Sequence, residues 1–576
     1  VETLLLTFDQ AHDSDSSNFR IGDIVILYPY NKGDEPHATQ TIVQRCTITD
    51  IQRNYITLRL KSPQTDNRYF ARQAGKWWAI EHDFMESSYS SLYKGMFAFL
   101  SAPQHRRDLL MMQRQPIVDK TATLKGNYGS FNDLALRVKQ AKELFLTIGP
   151  PGTGKTSYGM LNTVKEQLLE PDTSILLLSY TNRAVDEICS KLYAENIDFI
   201  RIGGELTCNG CYQDNLLTSR VKDMDNIAQL KEMIRHQRIV VSTTTSLSAN
   251  IELLQHKHFD LAVVDEASQI LEPHIIGLLS ARYRGMCAIE KMVMIGDYRQ
   301  LPAVVQQRPE MSTVSEGCLH LIRLYDCRLS LFERLLRQYE HNPQVTYMLT
   351  KQGRMHEEIA SFPNIAFYGG KLEVVPLPHQ TGITNIKALG DNGIDRMICK
   401  HRVAFVGSHA NDDVANDKVN QSEAEMIAAT VVRIYMMTRN CFDVDATVGV
   451  IVPYRNQISA VRMAIDRYGI ALLHNISIDT VERFQGSQRD FIIYGFTIQR
   501  YYQLQFLTDS EFIDNEGNIV DRKLNVAMTR AREHLIIIGN PELLNRNITF
   551  CNMIEHISNR GGYYDIPAEK YISGEF

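Results

Sequence analysis

The chain has 576 residues, 44% of them hydrophobic and 22% charged, with a formal net charge of −6. That is the make-up of an ordinary globular protein of about three or four domains. No run of 18 apolar residues occurs, so no membrane span is expected, and Val1-Glu-Thr-Leu-Leu-Leu lacks the basic head and long apolar stretch of a secretion signal. Ten scattered cysteines suit free thiols in a reducing compartment, cytoplasmic or nuclear. The absent initiator methionine points to a trimmed chain or part of a longer protein, with further domains or protein partners. A negative balance counts mildly against a dedicated nucleic-acid binder, although only a local groove has to be positive.

Residues 1–125 carry short alternating segments, Ile21–Leu27, Gln40–Val43 and Tyr55–Leu60, parted by breaks such as Asn31-Lys-Gly-Asp34. They predict a small antiparallel barrel or sheet. A helical stretch over about Glu86–Arg114 follows, with Arg106, Arg107 and Arg114.

From 126 to 345 strands and helices alternate, with strands expected at 144–148, 174–180, 198–202, 238–243, 260–265 and 291–296. Residues 149–156 read Gly-Pro-Pro-Gly-Thr-Gly-Lys-Thr, a complete G-x-x-x-x-G-K-[ST] loop between a buried strand and a helix. Gly149, Gly152 and Gly154 let backbone N–H groups close on phosphates. Lys155 would reach the β- and γ-phosphates and Thr156 would hold Mg²⁺. Pro150, Pro151, Thr153 and Ser157 complete the candidate ATP cradle. Asp265 and Glu266 end the apolar run Leu261–Val264 and suit a metal ligand and a water-polarising base. Gln300, after the strand ending at Ile295, suits a γ-phosphate sensor or an amide bonded to its own loop. Cys208-Asn-Gly-Cys211 has no second ligand pair nearby, which favours two incidental thiols over a zinc site.

The alternation resumes over 346–548, with strands near 402–407, 447–453, 476–482, 490–496 and 534–539 and helices at Gln421–Met437 and Asn456–Tyr468. Two α/β domains with parallel sheets follow from this pattern. The second has no phosphate loop, but Arg354 and Arg530 (the latter expected on a helix before Leu535–Ile538) can reach the first domain's nucleotide and offset charge in phosphoryl transfer. In the tail, 549–576, Tyr563-Tyr564 and Ile566-Pro567 can dock on the body or on a partner.

The order of these segments resembles a superfamily 1B helicase of the nonsense-mediated-decay (up-frameshift) branch. The carrying segments are Gly149–Thr156, Ser179–Asp186, Val241–Thr245, Asp265–Gln269, Gly296–Pro302, Ser330–Arg334, Arg354–His356, Ile451–Tyr454, Asp479–Gly486 and Leu524–Arg532. The resemblance implies two RecA-like parallel-sheet domains with ATP and Mg²⁺ between them, an N-terminal small β-barrel and helical stalk, and a helical insertion over about 203–237. It implies 5′→3′ travel on single-stranded DNA or RNA. Lys155, Glu266, Gln300, Arg354 and Arg530 would be catalytic, with Thr156 and Asp265 on the metal and Gly486 and Gln488 beside the nucleotide. Strand contacts would fall on Thr181, Asn182, Thr243, Thr244, Pro453, Tyr454 and Thr480.

Three positions depart from the family's pattern. The glutamine that reads adenine is replaced by a region whose nearest amide is Asn132, the aromatic before Arg354 is Gly353, and an acidic position is Gln488. The first two predict loose discrimination among nucleoside triphosphates. The leading expectation is a nucleic-acid-stimulated ATPase and helicase. A remodeller that separates no duplex and a non-motor nucleotide switch are the alternatives.

Overall fold

The computed structural model describes the chain apart from residues 1, 8–18, 20, 53–54, 67, 84–87, 223, 225, 306, 383–385, 410–415 and 515–516. Five antiparallel strands come first, in the order Thr3–Thr7, Tyr55–Leu60, Gln44–Ile51, Ile24–Tyr30, Trp77–His82. Leu4 and Leu6 on one outer strand and Trp78 and Ile80 on the other pack on the same core of Val25, Leu27, Cys46, Ile48, Ile56, Leu58 and Leu60. Reaching one core from both edges requires the sheet to curl, as a small barrel does. The strand expected at Gln40–Val43 starts instead at Gln44, after a short helical turn at Ala38–Gln40. The expected helix start at Glu86 lies outside the described residues; the stalk is described as helices Ser88–Leu100 and Gln104–Leu110. It touches the first lobe backbone to backbone, since a Cβ on Gly277 would lie 2.2 Å from the Gly95 Cα. Arg106 is buried against the first sheet, donating to the carbonyls of Ile289 and Glu290.

The first lobe is a seven-stranded parallel sheet, in the order Thr346–Met348, Leu144–Ile148, Ile289–Gly296, Phe259–Val264, Ile175–Ser179, Ile239–Thr243, Ile200–Ile202. Strand side chains alternate between faces, so Leu144, Leu146 and Ile148 enter one core and Phe145 the other. This is why the run reads as apolar apart from Thr147. Residues between Ile202 and Ile239 form short helical turns and the helix Ile227–His236. Cys208 is buried there and Cys211 exposed.

The second lobe is a six-stranded parallel sheet, in the order Ser477–Asp479, Val448–Ile451, Arg489–Gly495, Ala531–Gly539, Val403–Gly407, Tyr563–Tyr564. The tail thus docks on the body. Tyr563 stacks on Phe405 at 5.8 Å, and the buried Tyr571 meets Thr430 at 2.8 Å and stacks on Phe576.

Glu423, in the first turn of the helix Gln421–Thr438, is fully buried and accepts from the Thr497 N–H at 2.7 Å. Burial pushes its carboxyl up from the ordinary 4.5 to about 8. The folded chain therefore keeps a proton that the unfolded chain releases. This contribution is complete below about pH 4.5 and is lost as pH rises through about 8. In that window stability should fall by about 1.4 kcal/mol per pH unit from this group. Melting curves of Glu423→Gln should be flatter between pH 5 and 8 than those of the parent; parallel curves refute the assignment.

Candidate active site

The phosphate loop leaves the strand Leu144–Ile148, is tied to the neighbouring strand by Gly149 N–H to the Gly296 carbonyl (2.9 Å), and turns through Gly152 and Gly154 at φ +76° and +73°. Only residues without a Cβ take such angles freely. Pro150 and Pro151 are buried, and the Thr153 hydroxyl donates to the Pro150 carbonyl at 2.7 Å. Lys155, Thr156 and Ser157 open a wide π-type turn, Lys155–Met160, a widening that recurs at functional sites.

Asp265 and Glu266 meet this turn. The Thr156 hydroxyl donates to Asp265 Oδ2 at 2.6 Å, and Lys155 Nζ lies 2.6 Å from Glu266 Oε1. Burial, with the Glu266 charge beside it, pushes the Asp265 carboxyl up. Burial would raise Glu266 too, but Lys155 and Gln269 hold it below the usual carboxylate value. Burial alone would lower Lys155, and the two carboxylates more than reverse this. Glu266 also sits in left-handed backbone, φ 51° and ψ 37°, a conformation that costs a non-glycine residue about 1–3 kcal/mol.

The second lobe brings both arginines to this point. Gly353 N–H donates to the Gly152 carbonyl at 2.9 Å, and a Cβ on Gly152 would lie 2.6 Å from the Arg354 Cβ. Arg354 Nε donates to Gln488 Oε1 at 2.8 Å and its Nη1 to the Thr529 carbonyl. Arg530 is not on the helix, which ends at Met528, but in the turn before Ala531–Gly539. Its guanidinium donates to the carbonyls of Val526 and Ser487 and, at 3.2 Å, to Gln300 Oε1. Gly486, Ser487 and Gln488 thus form one turn that seats both arginines. A neutral amide at 488 orients Arg354 without cancelling its charge. Burial, then Arg354, push Arg530 below an ordinary guanidinium, while Glu266 pulls the other way; the group remains a cation. Gln300, 3% exposed, donates to Asp297 Oδ2 at 2.8 Å. A cleft of about 470 Å³ runs along the seam, lined by Thr156, Thr181, Asp265, Glu266, Arg483 and Gly486 among others.

The residues expected at a strand lie at or just after carboxyl ends of strands, and of them Thr181 also lines the cleft. Thr181 and Thr243 cap helices, accepting from Ala184 N–H and Ser246 N–H. Asn182 lies one residue into the first of these helices. Thr244 is 1% exposed. Neither hydroxyl of Thr243 or Thr244 faces outward, whereas Thr245 is exposed. Pro453 and Tyr454 follow Val448–Ile451, and Thr480 follows Ser477–Asp479. One face of the Tyr454 ring stacks on Phe506, at 5.1 Å and 19°. Tyr501 and Tyr502 are exposed beside them, with Arg546 over Tyr501 and Lys523 over Phe506. Arg500-Tyr-Tyr-Gln-Leu-Gln-Phe506 carries the sequence signal of this aromatic group, which the motif pattern does not include.

A phosphate loop, a paired Asp-Glu and two arginines from a second parallel-sheet lobe define a P-loop enzyme of the tandem RecA-like class. Family models described as AAA domain match residues 132–226, 209–308 and 327–542. The chain is 28% identical over 593 residues to a DNA replication ATP-dependent helicase/nuclease of Arabidopsis thaliana, covering 98% of this chain and 40% of that protein. It is 26% identical over 450 residues to an RNA helicase of Homo sapiens, covering 73% and 34%. The solved arterivirus helicase bound to DNA aligns at 15% identity over 71% of this chain and 62% of that one, with TM-score 0.34, too loose a likeness to bear on fold or ligand. Over its AAA-domain matches the chain is similar to ATP-dependent helicases, as the resemblance to superfamily 1 led one to expect. It spans about 40% of the length of the curated relatives it matches.

Proposed function

We propose that the chain is a nucleic-acid-stimulated ATPase that moves 5′→3′ along a single strand of DNA or RNA. The observation that carries this reading is the seating of Arg354 and Arg530 from one lobe against the phosphate loop and Gln300 of the other. Groups so placed offset phosphoryl-transfer charge only while the lobes are together, which ties hydrolysis to lobe movement. Lys155 holds the β- and γ-phosphates, Glu266 orients the attacking water, and Gln300 reports on both. The Thr156 hydroxyl and Asp265 carboxylate are hard oxygen donors that suit Mg²⁺, which when bound neutralises phosphate charge. The strand lies over Thr181, Asn182 and the backbone at Thr243–Thr244, whose hydroxyls are buried, on one lobe and over Pro453–Tyr454 and Thr480 on the other, with bases against the aromatic group at Tyr454 and Phe506. Among the described residues no helix is long and apolar enough to cross a membrane, and we place the protein in the cytoplasm or nucleus.

The test is ATP turnover with and without matched single-stranded DNA and RNA. Stimulation by either supports the motor, and a slow rate that neither strand changes means a switch. On duplexes with single-stranded overhangs, displacement only from a 3′ overhang overturns the polarity.

Nucleotide choice is expected to be loose. The Asn132 amide accepts from Tyr128 N–H and donates to Asn127, so both its ends are used in its own turn. At Gly353 a Cβ would already meet Leu377 at 3.4 Å. A site that reads a base by hydrogen bonds rejects the wrong one by about 10⁴ or more. Here GTP and CTP should turn over within about tenfold of ATP; far slower turnover of both refutes the idea.

A further inference from the structure

Residues 297–300, which carry Gln300, form a short hook at the end of the strand Ile289–Gly296. Within it, Asp297 Oδ2 accepts from Gln300 Nε2 at 2.8 Å and Oδ1 accepts from Arg299 N–H at 3.1 Å. The second lobe holds the hook at successive positions. Arg522 Nε donates to the Tyr298 carbonyl at 2.8 Å, Asn525 Nδ2 to the Arg299 carbonyl at 2.7 Å, and Arg530 Nη2 to Gln300 Oε1 at 3.2 Å. Tyr368 reaches in from another element of the same lobe. Its hydroxyl donates to Asp297 Oδ2 at 2.7 Å, the oxygen that also receives Gln300, and accepts from Asn525 Nδ2 at 2.9 Å. Tyr368 is 1% exposed and Asp297 and Asn525 are fully buried.

The two elements that bear these groups also bear the arginines. Tyr368 ends the helix Glu357–Tyr368, which Arg354-Met355-His356 precedes. Asn525 lies in the helix Arg522–Met528, just before Arg530. Each element therefore meets the first lobe twice, once at the phosphate loop or Gln300 and once at the Asp297 hook. A movement of the second lobe that withdraws an arginine also withdraws a hydrogen bond from the hook.

We propose that Tyr368 is a positioning residue that sets Gln300 through Asp297, so that Gln300 is aligned only when the lobes are docked. This rests on the ATPase reading above. With its hydroxyl in place, Asp297 is shared between Tyr368 and Gln300 and the amide is fixed. Without it, Asp297 keeps only its bonds from Arg299 N–H and Gln300, and the Gln300 amide is held less firmly relative to Arg530. Tyr368 touches no nucleotide in this account, so its effect is on the chemical step and not on binding.

The experiment is steady-state ATP turnover of the full chain with a stimulating single strand, for the parent, Tyr368→Phe, Gln300→Ala and the double variant. Phenylalanine keeps the buried ring and removes only the hydroxyl. Tyr368→Phe is expected to lower kcat about tenfold, with KM for ATP unchanged. Added to Gln300→Ala it is expected to cost nothing further, because its route runs through that amide. A thermal melt and the affinity for a non-hydrolysable ATP analogue, both expected to match the parent, separate this from a loss of fold. A tenfold loss that adds in full to Gln300→Ala, a rise in KM with kcat unchanged, or parental kinetics overturns the proposal. A parent that hydrolyses no ATP under any strand overturns the ATPase reading and this inference together, whereas an active parent matched by Tyr368→Phe overturns the inference alone.

Discussion

Lys155→Ala is expected to abolish ATP turnover, lowering it by about 10³ or more with or without a strand. Its ammonium sits at the mouth of the phosphate loop, with a Cβ on Gly149 only 2.8 Å from the Lys155 Cβ, and it balances Asp265 and Glu266. Alanine removes the charge that a triphosphate needs and leaves two carboxylates facing it, so attraction becomes repulsion. The side chains of Lys155 and Glu266 are each 15% exposed, so some stability is lost as well. Lys155→Arg keeps the charge at a different reach and should recover the melting temperature but little of the rate. Turnover of the alanine variant within tenfold of the parent would remove Lys155 from the chemistry.

Arg530→Ala is expected to slow hydrolysis by about 10³–10⁵ while ATP affinity changes only a few-fold. The separation follows from where the guanidinium lies, on Gln300 and the Ser487 carbonyl and not in the phosphate loop itself. Single-turnover rates and a nucleotide titration read the two quantities apart. Affinity falling in step with the rate would make Arg530 a ground-state ligand. Because the alanine also orphans buried carbonyls, Arg530→Lys belongs beside it: a lysine that restores the melt and not the rate ties the loss to the planar guanidinium.

The strands that were legible in the sequence are those buried on both faces. Leu144–Ile148, interrupted only by Thr147, and Val403–Gly407 read as apolar runs whose ends can be placed to within a residue or two. Strand Gln44–Ile51 gives little sequence signal because only Cys46 and Ile48 are buried in it and, apart from the half-buried Ile51, polar residues fill the other positions. Thr346–Met348 and Tyr563–Tyr564 are too short to show a period at all. At the site, the loop Gly149–Thr156 and the Asp265-Glu266 pair are local patterns. The seat that Gly486–Gln488 makes for both arginines and the meeting of Tyr368 with Asp297 join residues far apart in the chain, and no local spacing encodes them. The sequence pattern extends the helix through Arg530 because Leu524–Met528 is helical, but the chain turns at Thr529.

The second lobe's sheet closes late. Val403–Gly407 has Ala531–Gly539 on one side and only Tyr563–Tyr564 on the other, and the helix Gln421–Thr438 receives Tyr571 from nearly the last residues. The first sheet needs nothing beyond Met348. During synthesis the first lobe can therefore fold while its partner is still incomplete. A ribosome that stalled within the later half would display a finished phosphate cradle beside apolar strands with no neighbour, a nascent chain prone to aggregate.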